Sequence, residues 1–278
     1  MMLLRLIKFK LTLAVTLTAA TGFLIFDHSA WSDLLILSAG TFLVAGGASA
    51  FNQYQEREYD SLMGRTKSRP LPSGSVKPRA ALEITLIMII AGLLLLLYLS
   101  WISMLLGLIN VVVYNTIYTN LKRVSYLAII PGAFVGAVPP LMGYTAAGGA
   151  VFDKSILFIS FIIFLWQVPH FWMLLIRFRD DYERAGFPTV LRKLNEKQVL
   201  RIVFSWITMV SFMAVASILY MPAMNRYIWY IIVSSNFLFT VVFFLLLFSK
   251  KKDEGRAFIL SNIYISILYL LLAAGAIL

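Results

Sequence analysis

Nine runs of mostly apolar residues, at roughly 10–27, 34–52, 82–100, 102–120, 126–145, 155–176, 200–220, 228–248 and 257–277, constrain this chain more than any other feature. A helix rises 1.5 Å per residue, so about 20 such residues cross the ~30 Å hydrocarbon core of a bilayer. Composition agrees. Hydrophobic residues make up 60% of the 278, against about 45–50% in an ordinary soluble domain. So much apolar surface cannot be wrapped in water by so few polar residues. The expectation is an all-α, polytopic bundle of nine membrane helices forming one membrane-embedded domain over residues 1–278. A break between the third and fourth runs is expected near Ser100–Ser103.

The net charge of +11 does not point to nucleic acid, because only 13% of residues are charged and they fall between the apolar runs. With the amino terminus cytoplasmic, all but two of the 24 Lys and Arg residues lie inside; Lys154 and Arg226 are the exceptions. Positive residues resist translocation, so this asymmetry sets the orientation and puts the carboxyl terminus outside. Lys250, Lys251, Lys252 and Arg256 form the last of the inner basic groups. The first run, preceded by Arg5, Lys8 and Lys10, has the look of a signal peptide but is expected to stay as the first membrane helix. Cysteine is absent, which excludes disulfides and thiolate metal sites and leaves oxygen or histidine as metal ligands.

Two inner loops, after the second and sixth helices, mix acidic with basic residues. Their four-helix separation suggests two four-helix halves, roughly 10–145 and 155–277, with one extra terminal helix. Asn52, Glu56 and Asp60 recur every fourth residue and share one face if the second helix continues through them. One amide oxygen and two carboxylates form a hard-oxygen set of the kind Mg²⁺ shares with substrate phosphates. Arg65, Lys67 and Arg69 follow at once, and cations beside metal-binding acids suit a diphosphate. Arg57, Glu58, Lys77 and Arg79 read as surface or topology-setting charges.

After the sixth helix come Arg177, Asp180, Asp181 and Arg184. Their spacing allows surface pairs Arg177–Asp181 and Asp180–Arg184, or a second acidic wall to the same site. His170 lies within an apolar stretch, where an ionisable group marks function or a neutral imidazole held by a neighbouring helix. Tyr118 and Lys122 are four apart at the inner end of the fourth helix, and Lys122 is placed to grip a phosphate oxygen. Asn110, Tyr114, Asn115 and Gln167 read as helix-bridging polar groups. The 21 Phe, 13 Tyr and 6 Trp serve as interfacial belt and suit a cavity that stabilises a carbocation on ring faces.

At these residues the chain resembles the UbiA superfamily of intramembrane prenyltransferases, and within it the haem O synthase branch. The likeness covers nearly the whole length. It includes Lys-Phe-Lys-Leu-Thr at 8–12, the Asn52–Glu56–Asp60 motif and Arg-Thr-Lys-Ser-Arg-Pro-Leu at 65–71. It continues with Tyr-Thr-Asn-Leu-Lys-Arg at 118–123, Gly-Ala-Val-Pro-Pro-Leu-Met-Gly at 136–143 and Trp-Gln-Val-Pro-His-Phe-Trp at 166–172. Asp-Asp-Tyr-Glu-Arg-Ala-Gly-Phe-Pro at 180–188 completes it. Glu56 departs from the Asp usual at that place, and Asp181 has Arg177 and Ala185 at the positions four away. The resemblance implies a nine-helix bundle in the plasma or inner membrane whose site faces the cytoplasm.

It further implies Mg²⁺ held by Asn52, Glu56, Asp60 and Asp181, with Asp180 in the second motif. Arg65, Lys67, Arg69, Tyr118, Lys122 and Arg177 would bind diphosphate, and His170 is a candidate for haem. The implied reaction is farnesyl transfer from farnesyl diphosphate to a vinyl group of haem B, giving haem O. Handover to haem A synthase or terminal oxidase assembly would follow. The rivals are prenylation of a quinone precursor or other aromatic acceptor, an anion transporter, and a non-catalytic oxidase assembly subunit.

Overall fold

In lipid every backbone polar group must find its partner within the protein, and a helix does this segment by segment. The computed structural model, which describes residues 2–221, 223–250 and 252–278, answers the nine apolar runs with helices. They are α1 (Phe9–Phe26), α2 (Trp31–Leu62), α3 (Pro78–Leu99), α4 (Trp101–Leu121), α5 (Ile129–Ala146), α6 (Lys154–Arg177), α7 (Glu196–Val215), α8 (Arg226–Phe248) and α9 (Glu254–Ile277). Among the described residues these nine are long and apolar enough to cross a membrane. The protein is therefore multi-pass. Lys251 of the last basic group lies outside the described residues.

Helix ends follow local chemistry. Ser100, with φ −161°, ψ 129°, breaks α3 from α4, and its hydroxyl accepts from the Ser103 N–H at 3.4 Å. Asn195 and Gln198 form a reciprocal capping box at the start of α7. The connection between α6 and α7 holds a short helix, Arg179–Arg184.

Two elements depart from the apolar pattern. Helix α2 runs ten residues past its expected end, to Leu62, where Asn52, Gln53, Gln55 and Glu56 bond to distant parts of the chain while Glu58 and Ser61 stay exposed. Helix α4 contains a π segment, Val113–Tyr118. There the Thr119 hydroxyl donates to the Tyr114 carbonyl at 2.8 Å, and Gln55 Nε2 donates to the Asn115 carbonyl at 2.9 Å. Single π turns of this kind recur at functional sites.

Helix α1 packs on α2, α5 and α9, while the remaining helices pack in chain order, with α9 returning to α6. One apolar core gathers Ile156, Val203, Ile207, Phe243 and Leu272 from the later helices. A second gathers Phe23, Leu37, Leu96 and Met142 from the earlier ones. The outward residues of α3 and α8, such as Ile87, Leu94, Phe237 and Leu238, are exposed and suited to lipid.

Contact between α1 and α5 depends on glycine. A Cβ on Gly143 would overlap the Ala19 carbonyl, and one on Gly22 would overlap the Pro140 carbonyl. Small residues let membrane helices approach this closely. Gly143→Ala is expected to cost about 1–3 kcal/mol through forced separation of the two helices. The thermal midpoint in detergent measures it, and an unchanged midpoint contradicts the close approach.

Candidate active site

A cavity of about 730 Å³ lies between the two cores, walled by α1, α2, α4, α5, α6 and α9. Its body is apolar, with Val15, Val44, Ala48, Val135, Met142 and Ile163 among the lining residues. Its mouth is charged. Lys8, Lys10, Arg65, Arg69 and Lys122 line it against only two carboxylates, Glu56 and Asp60.

The extension of α2 builds one side of the mouth. Asn52, Glu56 and Asp60 are 1%, 4% and 4% exposed, and each meets a cation from a different part of the chain. Lys8 Nζ donates to Asn52 Oδ1 at 2.7 Å. Lys122, just past α4, pairs with Glu56. Arg69, in the connection after α2, donates through Nη1 to both Asp60 oxygens at 2.8 and 2.7 Å. Buried carboxylates are tolerable only with such partners. The Asn52 amide donates to the Thr119 hydroxyl at 3.0 Å, which turns its Oδ1 toward Lys8.

Lys8, read from sequence as a topology charge and as part of the 8–12 motif, has a place in the site that sequence reasoning missed. Among the described residues it is the one non-glycine with positive φ (51°), a left-handed backbone that costs energy and needs support. Gln53 supplies it, donating to the carbonyls of Arg5 and Leu6, both at 2.8 Å. The Thr12 hydroxyl bonds the Ile7 carbonyl at 2.6 Å. This elbow sends the Lys8 ammonium to Asn52 and to the Tyr114 hydroxyl, the latter at 3.3 Å. Burial, and then the charge of Arg69, pull its pKa down to about 7. A lysine ahead of an apolar run looks like any topology charge, so its role was hidden until the elbow was seen.

Aromatic rings stand behind the cations. Tyr114 and Tyr118 stack at 5.6 Å, and Phe171 approaches Tyr118 at 5.9 Å. The Lys122 ammonium lies 5.3 Å from the Tyr118 ring centre and 5.6 Å from that of Phe187. Burial opposes the Lys122 charge, but the Glu56 carboxylate beside it holds its pKa above the ordinary lysine range. Tyr114, read from sequence as a helix bridge, lines the cavity. So does His170, whose Nδ1 is buried without a hydrogen-bond partner among the described residues, with Trp166 and Phe258 rings at 4.6 and 5.2 Å. Asn262, not singled out from sequence, lines the same wall.

The second acidic constellation does not join the cavity wall. Helix α6 stops at Arg177, and Phe178 (φ −120°, ψ 33°) separates it from the short helix that follows. Arg177 and Asp181 are therefore not on one helical stripe. The pairs that form are Arg179–Glu183 at 2.7 Å and Arg184–Asp181 at 3.6 Å. Asp180, Arg177 and Lys67 are exposed and lie off the cavity lining. Arg177 sits against the rings of Phe178 and Phe258. Asp181 is engaged elsewhere, accepting from the backbone N–H groups of Gly64 and Arg65 at 2.8 and 3.0 Å. These bonds, that of Arg65 foremost, hold its carboxyl below the usual range. Asp60 and Asp181 thus sit at the same mouth without facing the same hollow.

Among the described residues no three acidic or histidine side chains gather closely enough to hold a metal alone. The donors that do share a wall are two carboxylates and an amide. Such an incomplete oxygen set fits Mg²⁺, which keeps waters and completes its shell with phosphate oxygens.

The fold and the cavity together define a multi-pass helical membrane protein that encloses an apolar chamber with a cationic, oxygen-lined mouth. The chain belongs to the UbiA prenyltransferase family, whose model matches residues 12–268. It is 42% identical over 179 residues to the "Protoheme IX farnesyltransferase" of Geobacter sulfurreducens, covering 64% of this chain and 66% of that one. It is 40% identical over 188 residues to the mitochondrial protein of that name in Homo sapiens, covering 66% and 42%. The matched part therefore spans less than two thirds of either relative. A UbiA homolog from Archaeoglobus fulgidus, bound to GPP and Mg²⁺, superposes with TM-score 0.77 at 13% identity over 100% of both chains. The apo UbiA homolog from Aeropyrum pernix K1 does so with TM-score 0.79 at 18% identity, covering 96% and 97%. At such identities the structural likeness speaks for the fold.

Proposed function

We propose that the protein transfers a farnesyl group from farnesyl diphosphate to a vinyl group of haem B, producing haem O. The observation that carries this reading is the buried Asn52–Glu56–Asp60 stripe, faced by cations at the mouth of an apolar chamber. Support for the acceptor comes from the two relatives named for protohaem IX; support for Mg²⁺ with a prenyl diphosphate comes from the Archaeoglobus fulgidus homolog. The domain acts as one membrane-embedded unit, and the basic mouth faces the cytoplasm by the positive-inside rule.

Asn52, Glu56 and Asp60 would hold Mg²⁺. When bound, the ion neutralises charge on a diphosphate and stabilises its departure. Arg65, Arg69, Lys8 and Lys122 bind and orient the diphosphate, and the fixed cations favour the charge that grows on it as it leaves. The C1–O bond breaks with its electron pair going to diphosphate. The apolar walls exclude water from the allylic cation, and the rings of Tyr114, Tyr118 and Phe171 offer it their faces. The terminal vinyl carbon of haem attacks C1. Water then adds to the new cation beside the porphyrin and gives up a proton, leaving the hydroxyethylfarnesyl group. His170, with its free Nδ1, meets the acceptor.

Purified protein in vesicles with Mg²⁺, farnesyl diphosphate and haem B is expected to yield haem O by mass spectrometry. Product from 4-hydroxybenzoate but none from haem B would move the acceptor to the aromatic class. Uptake of anions without diphosphate release would replace the enzyme by a transporter.

A further inference from the structure

Arg65 differs from the three cations that hold the α2 stripe. Lys8, Lys122 and Arg69 each bind a side chain of the α2 stripe. Arg65, among the described residues, has no carboxylate within salt-bridge distance, yet it lines the cavity. What fixes it comes from the other connection. Its backbone N–H donates to Asp181 Oδ2 at 3.0 Å while the Gly64 N–H donates to Asp181 Oδ1 at 2.8 Å. Its guanidinium lies 4.8 Å from the centre of the Phe178 ring. A Cβ on Gly64 would stand 3.3 Å from Asp181 Oδ1, a tight contact that the glycine avoids. Around this clip Met63, Ala185 and Phe187 are buried together, flanked by Tyr59 and Tyr182.

We infer that Asp181 and Phe178 are positioning residues that present the Arg65 charge to the ligand at the cavity mouth, Asp181 acting through the loop backbone rather than as a metal ligand. Both Asp181 oxygens are committed to consecutive amide donors. Charge-assisted bonds of this kind are among the stronger ones in a protein, and Asp181 lies off the lining of the cavity that Asn52, Glu56 and Asp60 share. The inference rests on the proposed diphosphate chemistry, because Arg65 is taken to meet that group.

The test is a double-mutant cycle in the full-length protein, using Arg65→Ala, Asp181→Ala and the pair. If Asp181 works through Arg65, their effects are not additive. Each single variant is expected to raise KM for farnesyl diphosphate on the order of 10- to 100-fold, the scale of a misplaced binding group. The pair should be no worse than Arg65→Ala, and the Mg²⁺ concentration for half-maximal rate should stay at the wild-type value. Phe178→Leu, which leaves every charge in place, should reproduce the KM effect at unchanged Mg²⁺ dependence. Effects that multiply in the double variant, or a raised Mg²⁺ requirement in Asp181→Ala, overturn the inference. Trypsin cleavage after Arg65 reports the clip without any turnover and should accelerate in Asp181→Ala; unaltered cleavage also overturns it. Wild-type protein that neither binds nor consumes farnesyl diphosphate would defeat the functional reading instead, and the cleavage rates would still decide whether the clip exists.

Discussion

Asp60→Asn is expected to lower farnesyl diphosphate turnover on the order of 10²- to 10³-fold, the scale seen when one preorganised electrostatic contact to a developing charge is removed. The substitution keeps the shape of the side chain and removes its charge. Asp60 is 4% exposed and receives two bonds from Arg69 Nη1. An asparagine can still accept one of them, so the bundle should hold. What goes is a hard anionic oxygen at the end of the stripe that begins with Asn52 and Glu56. Rates and thermal midpoints measured on the same preparation separate the two roles. Turnover within twofold of wild type would remove Asp60 from the metal set; a collapsed midpoint would make it a structural anchor.

Lys122→Met carries the largest expected stability effect. The Glu56 side chain is 5% accessible and its cationic partner is Lys122. Removing one member of a buried pair strands the other charge, at a cost of 3–5 kcal/mol. The Lys122 side chain remains 21% accessible, so about 3 kcal/mol is expected. Adding Glu56→Gln should recover most of that loss, because the stranded charge is then gone. Equal losses in the single and double variants would contradict the pairing. The pH dependence has a definite sign. The folded pKa of Lys122 is raised, so its contribution is fully present below the unfolded lysine value of about 10.4. It is lost only as pH climbs through the higher folded value. Neutral and mildly alkaline buffers should therefore leave the single variant's deficit unchanged.

The apolar runs dictated the architecture directly, since a bilayer leaves the backbone little choice but helix. The break at Ser100 was legible for a local reason, a serine able to cap the next helix. The Asn52–Glu56–Asp60 stripe was legible as a periodicity, conditional on a helix that apolar counting ended at residue 52. Its continuation to Leu62 depends on partners far away in sequence, such as Lys122 and Asn115, which no local pattern reveals. The surface pair Arg177–Asp181 that i, i+4 spacing allowed presumes an unbroken helix, and Phe178 breaks it. The π segment in α4 arises from Gln55 and Thr119 contacts, and nothing in Val113–Tyr118 itself announces it. Lys8 needed a backbone angle to stand out.

One consequence concerns how such a chamber is closed. Helix α1 touches α2 and α5 on one flank and α9 on the other, where the Thr21 hydroxyl reaches the Tyr269 carbonyl at 3.3 Å. Helix α1 therefore has no closed seam until α9 packs against it. Parting α9 from α1 would open the greasy interior along that seam, so the vessel is whole only with both helices docked.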